Sequence, residues 1–207
     1  RMLQDFPEVR LHAVEIDPVV AEVAHDFFEV PRDDPRLEVS IGDGRRFLAD
    51  NDERWDAIVV DAFFADAIPF HLVTREFLQL ARSRLSPGGV VVTNAIGAIA
   101  GPGSRLFRSI YRTYRTVFPT VVVHPAILAG DTGDETFRNL ILVATEQAAP
   151  QRVFLAERWE EISSEAPTAP DLRQAILDRH DALIATDDVP VLTDDYAPTD
   201  ALLLLFQ

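Results

Sequence analysis

Three short apolar runs, each closed by an acid, constrain the fold of this chain more than any other feature. Leu11 to Ile16 carries Glu15 and leads into Asp17-Pro18, Leu37 to Ile41 leads into Gly42-Asp43-Gly44, and Trp55 to Val60 leads into Asp61. Runs of this length and apolar content read as strands buried in a parallel sheet. Between the first two, Asp17 can cap a helix with Pro18 at its first position, and Val19, Val20, Val23, Ala24 and Phe27 recur at helical spacing. That helix ends before Pro31, and Arg45 to Ala49 reads as a second, short one.

The alternation continues along the chain. Thr74 can cap a helix whose buried stripe is Phe77, Leu80, Ala81 and Leu85, stopped by Ser86-Pro87-Gly88-Gly89. Val90 to Thr93 follows as a strand, and Ser104 opens a helix with the stripe Leu106, Phe107, Ile110, Tyr111, Tyr114 and Val117. Thr120 to His124 and Leu140 to Ala144 are two more strands, and Val153 to Leu183 has a helical pattern broken at Pro167 and Pro170. Strand and helix in turn predict an α/β fold: a doubly wound, mostly parallel sheet of Rossmann type, with an antiparallel strand near the C-terminal edge. Residues 1–207 read as one domain, with no internal repeat. Met2 to Pro7 reads as the last turn of a helix running into a strand, so further chain is expected upstream.

Composition narrows the function. Lys plus Arg total 19 against 34 Asp plus Glu, a formal charge of −15. Binding nucleic acid takes clustered cations to neutralise phosphates, so a cationic or neutral small molecule is the expected partner and nucleic acid is not. There is no cysteine, which excludes disulfides and thiol chemistry within the chain and fits a reducing compartment such as the cytoplasm. No apolar stretch approaches the roughly 20 residues that span a bilayer, so no membrane partner is expected of this chain, and no metal site is expected either.

In doubly wound sheets, ligands bind outside the carboxyl ends of the strands. Glu15 and Asp17 close the first strand, Asp43 follows the second and Asp61 the third. An ionised carboxylate only accepts hydrogen bonds, which suits Glu15 to a pair of ribose hydroxyls. Asp43 can accept from an exocyclic amine such as that of adenine, with Gly42 and Gly44 letting backbone approach a flat ring. Asp61 is the candidate catalytic carboxylate, able to hold and deprotonate an attacking amine. Asp66 and His71 lie in the loop that follows, and Asp194, Asp195 and Tyr196 are candidates for the acceptor side. Plainer readings stand beside these: Asp17 as a helix cap, His71 as a surface residue, Asp194 to Tyr196 as a turn.

Val14-Glu15-Ile16-Asp17-Pro18, Gly42-Asp43-Gly44-Arg45-Arg46-Phe47-Leu48 and Trp55-Asp56-Ala57-Ile58-Val59-Val60-Asp61, in this order, resemble the spermidine synthase family of aminopropyltransferases, which share the class I S-adenosylmethionine methyltransferase fold. The loop Asp61 to Leu72 and the tail Leu192 to Pro198 are similar to a divergent bacterial branch of it. The resemblance implies transfer of an aminopropyl group from decarboxylated S-adenosylmethionine to a small amine, in polyamine biosynthesis. Glu15 would bind ribose, Asp43 the adenine amine, and Asp61 the acceptor amine. Phe64 stands where the family has a second acid, a role that Asp66 would take two positions later, and Ala129 to Phe137 replaces the stretch that helps form the family's polyamine pocket. The family's first strand, glycine-rich loop and N-terminal hairpin would precede Arg1, and a homodimer is a further expectation. S-adenosylmethionine-dependent methyl transfer to another small substrate, and nucleoside binding without catalysis, are the alternatives.

Overall fold

The computed structural model describes residues 2–63, 68–127, 133–165 and 170–203. The chain divides into two compact units, Arg1–Asp52 with Glu157–Asp171, and Glu53–Ala156 with Leu172–Gln207.

The first unit opens with α1 (Met2–Asp5), then β1 (Leu11–Glu15), α2 (Pro18–Phe27), β2 (Leu37–Ile41) and α3 (Gly44–Asp50). β1 and β2 pair in parallel from Leu11 opposite Leu37 to Glu15 opposite Ile41, joined by α2 as a parallel crossover requires. Local hydrogen bonds hold much of this unit. The Arg36 guanidinium binds both oxygens of Asp34 and donates to the carbonyls of Leu3 (2.9 Å) and Pro7 (3.1 Å), tying α1 to the start of β2. Those bonds hold the Asp34 carboxyl below the usual carboxylate range. The His12 ring meets Ser40 Oγ at 2.8 Å across the strand pair and lies 4.5 Å from the Phe47 ring. Among the described residues, Ala21 and Leu48 are this unit's buried apolar side chains, while Ile16, Val19, Val20, Phe27, Phe28 and Ile41 are exposed.

The second unit is built on a four-stranded sheet in the order β3-β4-β6-β5: β3 (Trp55–Val60), β4 (Leu85–Gly97), β5 (Thr120–Pro125) and β6 (Arg138–Thr145). β3 and β4 are parallel, and β6 runs antiparallel to both β4 and β5, as expected for the strand near the C-terminal edge. β4 buries every second residue, including Val91, Thr93, Ala95 and Gly97. On that side lie α4 (Arg75–Ser83) and α5 (Arg105–Val117), whose Phe77, Leu78, Phe107, Ile110 and Tyr114 are fully buried. The Tyr114 hydroxyl bonds Thr93 of β4, and burial pushes its pKa up. Phe107 Cβ would lie 3.0 Å from a Cβ at Gly97, so glycine there lets α5 approach the strand.

Two boundaries differ from the sequence expectation. β4 begins at Leu85, not Val90, because Ser86-Pro87-Gly88-Gly89 forms an irregularity inside the strand: Trp55 pairs Leu85, but Ala57 pairs Val90. The helical pattern of 153–183 resolves into α6 (Arg152–Glu165) and α7 (Arg173–Leu177); beyond it His180 N donates to the Val123 carbonyl, adding a bridge to β5. Tertiary pairing overrides local helical spacing there. The last described element is α8 (Thr199–Leu203).

A Cβ at Gly89 would stand 3.0 Å from the carbonyl oxygens of both Ser86 and Trp55, which are backbone atoms of the irregularity itself. Gly89→Ala is therefore expected to destabilise the protein by about 1–3 kcal/mol, seen as a lower urea midpoint; an unchanged midpoint would show that the strand accommodates a methyl group here.

Candidate functional site

In the first unit, the parallel register sets Glu15 beside Ile41, and Gly42 N donates to the Glu15 carbonyl at 2.9 Å. The Gly42-Asp43-Gly44 turn is thereby tied to the end of β1. Glu15 Oε1 accepts from Asp17 N at 2.9 Å, and Asp17 Oδ1 accepts from Val19 N at 2.8 Å, so Asp17 caps α2 as its position before Pro18 anticipates. Asp43 Oδ1 accepts from Arg46 N at 2.8 Å and caps α3. Glu15, Asp17, Gly42, Asp43 and Gly44 thus meet at the carboxyl end of one strand pair. Glu15 engages one carboxylate oxygen in this network.

The glycines are not there for packing. A Cβ built at Gly42 or at Gly44 would meet nothing within 4 Å, and neither residue has a positive φ. Beside them is a cavity of about 440 Å³ lined by Val14, Ser40, Gly42, Asp43, Arg46 and Phe47, a size usual for small-molecule pockets. Glu15 is not among its lining residues.

In the second unit, Asp61 follows the last residue of β3 and is exposed. Its Oδ1 accepts a hydrogen bond from Asn94 Nδ2 of β4 at 3.0 Å. Sequence reading did not single out Asn94, although one amide among Val90, Val91, Val92, Ala95 and Ile96 is a visible irregularity. His71 sits in a short 3₁₀ turn, Phe70–Leu72, half-buried, with its ring edge-on to Phe70. Asp66 lies outside the described residues, as do residues 129–132 of the Ala129 to Phe137 stretch.

Asp194 has structural partners. Thr74 caps α4 by accepting from Phe77 N at 3.3 Å, and its hydroxyl donates to Asp194 Oδ1 at 2.7 Å. Asp194 N donates to Glu76 Oε2 at 3.0 Å, and Arg75 N to the Leu192 carbonyl at 2.9 Å. The tail is docked on the start of α4, and Thr193 and Tyr196 close a tight turn with reciprocal backbone bonds that leaves Asp195 and Tyr196 exposed. Among the described residues, no three metal-ligating side chains cluster, and no helix is long and apolar enough to cross a membrane.

Comparison with known proteins places this geometry in context. A probable polyamine aminopropyl transferase of Bifidobacterium longum is 30% identical over 206 residues, 98% of this chain and 45% of that protein. A polyamine aminopropyltransferase of Vibrio vulnificus is 29% identical over 95% of this chain and 63% of its own length. The chain thus spans about half to two-thirds of the length of these relatives. Among solved structures, a probable spermidine synthase from Corynebacterium glutamicum superposes with a TM-score of 0.62 at 23% identity, covering 91% of this chain and 69% of that one. Human methyltransferase-like protein 13, in complex with SAH, gives 0.64 at 26% identity over 82% and 76%. The α/β fold is of the class I methyltransferase type. Residues 5–142 match the spermine/spermidine synthase domain, and the chain belongs to that family.

Proposed function

We propose that the protein is an aminopropyltransferase of the spermidine synthase type, taking its aminopropyl group from decarboxylated S-adenosylmethionine and passing it to a small amine. The observation that carries this reading is the set of carboxylates at strand ends, Glu15 and Asp43 in one unit and Asp61 in the other, in a chain of this family. Open space at Gly42 and Gly44 and the unengaged oxygen of Glu15 suit a nucleoside: ribose hydroxyls donate to Glu15, the adenine amine to Asp43, and the backbone at Gly44 lies close to the ring.

The sulfonium of the bound co-substrate supplies a good leaving group, so the protein contributes mainly alignment and a neutral nucleophile. Asp61 accepts an N–H of the acceptor amine, keeps its lone pair available and receives the proton that the new C–N bond makes acidic. The negative surface of a chain with charge −15 draws in a polycationic substrate at long range. Cytoplasmic location and a homodimer belong to the same reading, on the resemblance alone.

Methyl transfer is the second reading, favoured by the likeness to methyltransferase-like protein 13. Titration calorimetry with decarboxylated S-adenosylmethionine, S-adenosylmethionine and methylthioadenosine separates the two. Preference for the decarboxylated compound and its thioether product is expected; preference for the carboxylated one would give the site to methyl transfer.

We also propose that the apolar side chains left exposed in the first unit are covered by additional chain of a longer polypeptide. Two buried apolar residues are a thin core, and the short span against the relatives supports this. A longer gene product should protect the amides of β1 and α2 from hydrogen exchange more than residues 1–207 do; equal protection would sink the idea.

Three substitutions test the site. Glu15→Gln is expected to weaken methylthioadenosine binding by about tenfold or more, because an amide donor then faces ribose donors; unchanged affinity would remove Glu15 from the site. Gly44→Ala should leave the melting temperature level or slightly higher, since it opens α3, while still weakening the nucleoside. Asp61→Asn is expected to lower kcat by roughly 10²–10⁴, with nucleoside affinity preserved.

A further inference from the structure

β3 and β4 pair with Val60 opposite Thr93, and one step further along the same register stand Asp61 and Asn94. Asn94 Nδ2 donates to Asp61 Oδ1 at 3.0 Å. The orientation of this amide is fixed by chemistry, because an ionised carboxylate has no proton to give and only the NH₂ end can face it. The amide oxygen therefore points elsewhere, and there it is buried without a hydrogen-bond partner. A buried, unmatched acceptor is unfavourable, whereas a hydrogen bond to a charged group is among the stronger ones. Asn94 is thus held in an arrangement whose visible gain is its grip on Asp61. Its neighbours along β4 on the same face, Val92 and Ile96, are apolar, and a leucine would suit that face without an orphaned oxygen.

We infer that Asn94 is a positioning residue: it engages one carboxylate oxygen of Asp61, stops the carboxylate from rotating, and leaves the second oxygen to meet the acceptor nitrogen. This rests on the reading of Asp61 as the carboxylate that handles the amine. Asn94 itself need touch neither substrate, so its effect falls on turnover more than on binding.

The test uses the full-length polypeptide with decarboxylated S-adenosylmethionine and a panel of linear diamines. Asn94→Leu is expected to lower kcat at least about tenfold while the KM for the diamine changes by less than about threefold. Asn94→Asp supplies the discriminating readout. Two adjacent carboxyls can hold one proton between them, and the protonated carboxyl introduced by Asn94→Asp can then donate to Asp61 as the amide did. Activity should return in that variant and then fall as rising pH removes the shared proton, a limb that the wild type lacks. A side chain that merely filled space would give no such recovery. Should Asn94→Leu fail to fold by circular dichroism, the pH profile of Asn94→Asp decides, and absence of the alkaline fall overturns the inference. Full kcat in Asn94→Leu, with Asp61→Asn inactive, overturns the role of Asn94 and leaves that of Asp61 standing. Full kcat in Asp61→Asn, or no transfer by the wild type, overturns the reading of Asp61 and this inference with it.

Discussion

The second unit depends on how β4 is held. This strand pairs with β3 on one side and β6 on the other, and it presents its buried residues to α4 and α5. The irregularity between Leu85 and Val90 sets its register against β3. Because side chains alternate between faces, a slip of one residue would exchange the faces, sending Thr93 away from Tyr114 and Asn94 away from Asp61. Gly89 makes the irregularity compatible with the surrounding carbonyls, and Gly97 lets α5 come close at the other end. The same local geometry that permits the core therefore also delivers an amide to the candidate catalytic carboxylate.

The first unit works by a different economy of contacts. Its buried apolar residues are few, and its shape relies on polar groups that each serve a neighbour: Asp17 and Asp43 cap helices, Glu15 receives Asp17 N, and Arg36 gathers Asp34 with two carbonyls. Capping and ligand binding are compatible in one carboxylate, since each has two oxygens with several acceptor sites between them. For Asp17, read from the sequence as a helix cap or a ligand group, the structure shows the cap, and the cap leaves acceptor sites over. The cap fixes the carboxylate, and a fixed carboxylate is better prepared to meet a ribose or an amine.

What was legible in the sequence was what local chemistry decides. Asp17 before Pro18, Thr74 before the α4 stripe and the runs ending in Glu15, Asp43 and Asp61 all appear where short-range rules place them. What was not legible depends on partners far along the chain. Ser86-Pro87-Gly88-Gly89 reads as a stop, yet pairing with β3 draws it into the strand. Residues 178–183 read as helix, yet His180 bridges to Val123. Asp194 reads as an acid for the acceptor side, and no local pattern shows that Thr74, 120 positions earlier, donates to its carboxylate. Asn94 acquires meaning from a neighbouring strand, and the division into two units follows from contacts that no local pattern encodes.

Charge follows the same logic. All 19 basic residues are arginines, and many of them hold backbone together. Arg36 binds carbonyls of Leu3 and Pro7, Arg112 those of Thr186 and Val189, Arg108 that of Ala185 with the Asp188 carboxylate, and Arg152 that of Leu177. The planar fork of five donors suits arginine, and not lysine, to such multiple fastening. Guanidinium groups engaged in this way are poorly available to an external anion, and over the whole chain Asp and Glu outnumber arginine by 34 to 19. Part of the positive charge is thus spent on the protein's own loops, and the uncompensated charge is negative. A surface of that kind favours approach by cations and disfavours phosphate polymers. The acidity that first excluded nucleic acid is therefore also what remains once the arginines have fastened the fold.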